Sequence, residues 1–192
     1  MLDIIAPSAF KTVPWKNGKG ETVEMTINPG GTLDDFDWRL SMASVVENGE
    51  FSNFSGYTRN LILIKGDGIN LQHNDSKIDR LSQLLDFATF DGGDKTVGNL
   101  HTGAITDFNV IARTSHYHTK VNCHQRAMKI TVEKDELCFV YSLSSDIKIS
   151  FSNNENNLVA PQGHLVKLSN VEENTTYIDG ENIIMIYLNS CD

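Results

Sequence analysis

Phe36-Asp-Trp-Arg-Leu-Ser-Met-Ala-Ser-Val-Val46 alternates apolar and polar side chains from Phe36 to Met42. A strand repeats every two residues, so Trp38, Leu40 and Met42 share one side, and Arg39 and Ser41 share the other with Asp37. Asn48-Gly49 then supplies a turn. The same period recurs in Thr22 to Ile27, where Glu24 faces away from the core. Leu61 to Ile64, the connection Lys65-Gly66-Asp67-Gly68 and the run Ile69-Asn70-Leu71 read as a hairpin. Ile78 to Phe87 fits both periods and is read as strand; Asp91-Gly92-Gly93-Asp94 is a break. Asp107 to Ala112 resumes an extended pattern. Ala127 to Val132, Leu137 to Leu143, Ile147 to Phe151, His164 to Leu168 and Ile183 to Leu188 follow as short strands. Short strands at regular intervals, with almost no long helical pattern, predict an all-β chain built as an antiparallel sandwich or barrel. Asn153 to Asn157 reads as a polar loop tip.

The 192 residues suffice for one domain, or for two small barrels sharing an interface. Cys123, Cys138 and Cys191 form no framework and no C-x-x-C pair, which predicts free thiols and a reducing compartment. The acidic Met1-Leu-Asp-Ile-Ile-Ala6 start is unlike a signal peptide, and no apolar run reaches the roughly 18 residues of a membrane span, so a cytoplasmic protein with no membrane partner is expected. A net charge of −9 without a basic cluster argues against a nucleic-acid partner. Any anion site must use local cations against that overall field.

Thr12-Val-Pro-Trp-Lys-Asn-Gly-Lys-Gly-Glu-Thr-Val-Glu24 sets a rigid proline turn, cations, an amide and two carboxylates beside an indole. It reads either as a glycine turn between strands or as a recognition loop. Its partners favour recognition. Lys16, Asn17, Glu24, Arg39, Ser41, Arg59, Asp107 and Asn109 fall on alternating strand positions or in adjoining loops, where they would line one cavity for a small polar or anionic metabolite. Trp15 and Phe54 would exclude water there. Each residue also has a structural reading: Arg39 beside Asp37 as a surface ion pair, Asp107 as a strand-start turn former. Glu24 or Asp107 would be the general base if a metal-free isomerase or hydrolase operated here.

His116-Tyr117-His118 has the spacing of two ligands on one strand face, with His124 as a third, and these would serve a metal-dependent cupin-type enzyme as the alternative; the polar stretch around them reads as a loop, so no metal and no cofactor is expected. His73, His101 and His164 are isolated. Gly-x-Ser-x-Gly, phosphate-loop and His-Glu-x-x-His motifs are absent.

Several of these residues, in order, resemble the HutD/Ves family of cupin-like proteins across most of the chain. They are Pro14-Trp15-Lys16-Asn17-Gly18 with Gly20, Thr22 and Glu24; Trp38-Arg39 with Ser41; and Gly49, Phe51-Ser52, Phe54, Gly56 and Arg59. Gly66-Asp67-Gly68, Phe90 with Gly92, and Asp107-Phe108-Asn109-Val110 continue the match. Lys19, Glu50, Ser55 and Thr58 depart from the family's usual residues. The resemblance implies a bicupin, two β-barrels in one unit spanning 1–192, with lobes of about 1–105 and 106–192. It further implies a metal-free first barrel with a pocket, a regulatory or accessory role in histidine utilisation, and homodimers.

Overall fold

The computed structural model describes residues 1–15, 20–133, 135–152, 154–171 and 175–191. Apart from a 3-10 turn at Pro7–Ala9, every regular element among them is a strand. One compact unit is Phe10–Tyr117, and Met1–Ala9 with His118–Asp192 forms the other. The change of lobe thus falls at 117/118 rather than near 105, because Ile105–Arg113 is hydrogen-bonded inside the first sheet of the Phe10–Tyr117 unit.

In chain order the strands are β1 (Leu2–Ile5), β2 (Lys11–Pro14), β3 (Glu21–Ile27), β4 (Trp38–Val45), β5 (Gly49–Glu50), β6 (Tyr57–Lys65), β7 (Ile69–His73), β8 (Lys77–Leu81), β9 (Phe87–Asp91) and β10 (Thr96–Leu100). There follow β11 (Ile105–Arg113), β12 (Tyr117–His124), β13 (Met128–Thr131), β14 (Asp135–Ser142), β15 (Ile147–Phe151), β16 (Asn154–Ala160), β17 (Leu165–Val171), β18 (Thr176–Gly180) and β19 (Ile183–Ser190). The Phe10–Tyr117 unit sets a six-stranded sheet, β2-β3-β4-β11-β6-β9, opposite a four-stranded one, β5-β10-β7-β8. The other unit repeats the plan with β1-β17-β14-β19-β12 and β13-β18-β15-β16. Among the described residues the strands of each unit form two separate hydrogen-bonded sheets, so each is a cupin-like barrel of two sheets.

Leu61, Leu63, Ile69, Leu71, Leu81 and Ile105 form a buried core contributed by both sheets of the Phe10–Tyr117 unit. This explains why the hairpin expected from Leu61 to Leu71 does not form. β6 already has β11 and β9 as neighbours, and β7 pairs with β10 and β8. Lys65-Gly66-Asp67-Gly68 is therefore a corner between sheets, and the two apolar runs face each other instead of pairing. Two polar segments read as loops are strands: β12 covers Tyr117–His124, and β16 covers Asn154–Ala160. Both lie at sheet edges, where backbone pairing suffices without apolar alternation. The expected strand over Ile78 to Phe87 is two, β8 and β9, joined by a turn in which the Ser82 and Gln83 N–H groups both donate to Asp86 Oδ2.

The second unit's core, Val132, Cys138, Val140, Ile147, Ile149, Val166 and their neighbours, is apolar. Of the two described interiors, the polar one belongs to Phe10–Tyr117.

Candidate functional site

Strand register builds the site row by row on the inner face of the six-stranded sheet. Arg39 and Arg59 stand on either side of Ile111 in one row, which ends at Phe90. The next row runs Glu24, Ser41, Asn109, Leu61, and the one after it Thr22, Ala43, Asp107, Leu63. One end of the face is thus polar and the other joins the apolar core. The alternation of Trp38 to Met42 is as expected, yet the polar side is not solvated: Glu24, Arg39, Ser41, Arg59, Asp107 and Asn109 are all buried.

Buried charges need partners. Arg39 Nε donates to Glu24 Oε2 at 2.8 Å, a diagonal pair across β4 and β3. The surface pair expected between Arg39 and Asp37 is absent; Asp37 lies 2.8 Å from His116 Nδ1 and 3.4 Å from Arg113 Nε. Arg59 donates from Nε (3.0 Å) and Nη2 (2.7 Å) to Asn109 Oδ1, and Asn109 Nδ2 donates in turn to Asp107 Oδ1. Phe51, Phe90 and Phe54 surround the Arg59 guanidinium at 4.8, 5.7 and 6.0 Å. Burial, aided by Arg39 and opposed by Asp107, brings the Arg59 pKa down to about 10, so it stays cationic at neutral pH. Burial pushes the Asp107 carboxyl up to about 6 against the pull of Arg59 and the Asn109 hydrogen bond.

Arg39, Arg59 and Asn109 among these groups line a cavity of about 620 Å³, a size that suits a small metabolite. Arg39, Ser41, Arg59, Asn109 and Ile111 line its base, Trp15, Phe51 and Phe54 its walls, and Glu47 to Glu50 part of its rim. Trp15 is fixed by its Nε1 donating to Thr22 Oγ1 at 2.8 Å. The loop of Phe51 and Phe54 is seated on the Asp91 to Asp94 break: Phe54 N–H donates to Gly92 O at 2.7 Å, and a Cβ on Gly92 would lie 2.5 Å from Phe54 O. Among the described residues the terminal nitrogens of Arg39 and the hydroxyl of Ser41 donate no hydrogen bond, and both residues line the cavity.

Trp15, Arg39, Ser41, Phe54, Arg59 and Asn109 line one cavity. Glu24 and Asp107 are not on the cavity wall; they lie beneath it, behind Arg39 and Asn109. Lys16 and Asn17 lie outside the described residues. Phe51 and Thr22 were not among the expected site residues, and the signal for Phe51 was its place three residues before Phe54 on the same loop. His116, His118 and His124 do not form a ligand set: among the described residues no three His, Cys, Asp or Glu side chains are placed to hold a metal. His73 is a core residue, its Nδ1 2.9 Å from Thr96 Oγ1 and its ring 4.6 Å from that of Phe90. No helix among the described residues is long and apolar enough to cross a membrane.

A family model described as HutD matches residues 7–186. The chain is 32% identical over 154 residues, 80% of each chain, to an uncharacterised 21.2 kDa protein in the hutC 3′ region of Pseudomonas putida. It is 37% identical over 129 residues to protein Ves of Escherichia fergusonii, covering 67% of this chain and 66% of that one. The structure of HutD from Pseudomonas fluorescens SBW25, in a formate condition, superposes with a TM-score of 0.84 at 26% identity over 100% of both chains. A cupin 2 conserved barrel domain protein from Leptotrichia buccalis shares the fold alone, with a TM-score of 0.55 at 9% identity over 93% of this chain and 96% of that one.

Proposed function

The chain belongs to the HutD family, and from that premise we propose that it is a non-catalytic binding protein for a small carboxylate or acyl-amino acid. Its role is regulatory or accessory, in amino-acid (histidine) catabolism. One observation carries the reading: two buried guanidinium groups turn toward a cavity of about 620 Å³ whose described lining holds no histidine, cysteine or lysine. Such a lining offers charge-assisted hydrogen bonds to a carboxylate, and its own carboxylates, Glu47 and Glu50, stand at the rim. Ser41 and Asn109 supply polar contacts for the remainder of the ligand, and Trp15, Phe51 and Phe54 give it apolar walls. Neither Glu24 nor Asp107 reaches the cavity wall, which speaks against either as a general base.

Calorimetry with formate, acetate, N-acetylglycine and N-acetylglutamate tests this on wild type, Arg39→Ala and Arg59→Ala, with circular dichroism to establish folding. Loss of a charge-assisted pair of roughly 1.5 to 3 kcal/mol weakens binding by about ten- to a hundredfold. Unchanged affinity in a folded Arg39→Ala protein would sink the assignment, and turnover of any of these compounds by the wild type would replace the binder with an enzyme. Stoichiometric iron, manganese, nickel or zinc in protein purified without chelators would reopen the metal reading.

A further inference from the structure

The floor of the cavity is balanced in charge before any ligand enters. Arg39 faces Glu24, and Arg59 is tied through Asn109 to Asp107. A further anion delivered from water would leave excess negative charge where the effective dielectric is low. One of the four groups has to give way. Arg59 stays cationic near neutrality, and Glu24 lies in direct contact with Arg39. Asp107 differs. It is 0% exposed, its Oδ1 takes the hydrogen bond from Asn109, and its Oδ2 has no hydrogen-bond partner among the described residues. A carboxylate in that position has lost its hydration at one oxygen without replacement, which favours the neutral acid.

Resting on the carboxylate-binding reading, we propose that anion binding in this cavity is coupled to the uptake of one proton by Asp107, which touches no ligand and acts through Asn109 and Arg59. The groups around Asp107 define the coupling. β6 brings Arg59 and Leu63; β4 brings Ala43 and, two rows away, Arg39; β3 brings Thr22 and Glu24; its own strand brings Asn109. In the facing sheet Ile69 and Leu71, which carry no charge, share a core with Leu63, the strand neighbour of Asp107. Arg59 is therefore the cation that holds Asp107 ionised. A carboxylate docked on Arg59 cancels that attraction, and Asp107 takes a proton from solvent, forming one O–H bond. Because burial pushes the Asp107 carboxyl up to about 6, the exchange falls within the neutral range. Asp107 is thus a positioning residue whose charge state sets how strongly Arg59 holds an anion.

Formate and N-acetylglycine are suitable probes because each is a monoanion that does not itself titrate near neutrality. Titrating the full chain with each, in two buffers of different ionisation enthalpy near neutral pH, is expected to give heats that differ by an uptake approaching one proton. Affinity is expected to fall on the order of tenfold between about pH 5.5 and about pH 7.5. Asp107→Asn keeps an acceptor oxygen for Asn109 and carries no charge, so its profile is expected to be flat and its heats independent of buffer. Buffer-independent heats in the wild type, or the same pH slope in Asp107→Asn, overturn the coupling and leave the binder standing. The wild-type buffer pair decides the matter even if the variant fails to fold. A panel in which none of the four carboxylates binds removes the binding reading and the coupling together.

Discussion

Glu24 and Arg39 are two buried residues joined by one contact, Nε to Oε2 at 2.8 Å, and the two partners are not equally replaceable. Removing the charge of Glu24 leaves a cation inside the sheet with no carboxylate beside it, and stranding a buried charge in this way costs a few kcal/mol. Glu24→Gln is therefore expected to unfold at lower temperature than the wild type, and added formate should recover more of that loss than it adds to the wild type. Thermal unfolding with and without formate measures both, and equal formate shifts would show that Arg39 does not face the ligand. Phe51 acts on the other arginine through its ring face, 4.8 Å from the guanidinium. Phe51→Leu keeps the bulk and loses that attraction, so carboxylate affinity should drop by roughly two- to fivefold, as about 0.5 to 1 kcal/mol implies. The polar set was legible because Arg39, Ser41, Asn109 and Asp107 all fall on the same parity of their strands. Which of them touches the cavity was not, since a one-row displacement along the sheet puts Asp107 under Asn109 instead of beside a ligand.

At the scale of elements, the corner between β6 and β7 decides where the core ends. Gly66 and Gly68 have φ of +99° and +125°, and a Cβ on Gly68 would stand 2.6 Å from Leu81 O. No side chain is tolerated in that backbone geometry without strain. Gly68→Ala is expected to lower stability by about 1 to 3 kcal/mol, read as a reduced denaturant midpoint with an unchanged slope; a neutral result would mean that the corner relaxes freely. This corner also shows the limit of reading strands from pattern. Two apolar runs joined by Lys65-Gly-Asp-Gly68 look the same whether they hydrogen-bond to each other or face each other across a core, because the local turn chemistry is similar. The choice is made by β11 and β9, which occupy both edges of β6 from distant parts of the sequence. β12 and β16 are hard to read for the opposite reason, as edge strands whose side chains carry little apolar signal.

For the whole molecule, two buried groups, Asp107 and His73, push acid stability in opposite directions. The Asp107 carboxyl is raised from 3.8 to about 6, so the folded chain holds a proton there that the unfolded chain releases, and this contribution is lost as pH rises through that range. Burial lowers the pKa of His73 from 6.5 despite the nearby Asp79, so the unfolded chain gains that proton first, and stability is lost as pH falls below about 6.5. Asp107→Asn should thus gain on the wild type as pH rises from about 4 to about 7, and His73→Gln should gain as pH falls below about 6. Melting curves across that series that stay parallel to the wild type would show that neither group is linked to folding. The sequence by itself determined that the chain is all strand, that its polar positions share a face, and that its family is HutD, because these depend on local period and residue order. Only the tertiary structure decided that the polar face is an interior and that the cavity belongs to Phe10–Tyr117. It also decided that two carboxyl groups lie beneath two arginines rather than beside a ligand, because burial and charge pairing arise from strands far apart in sequence.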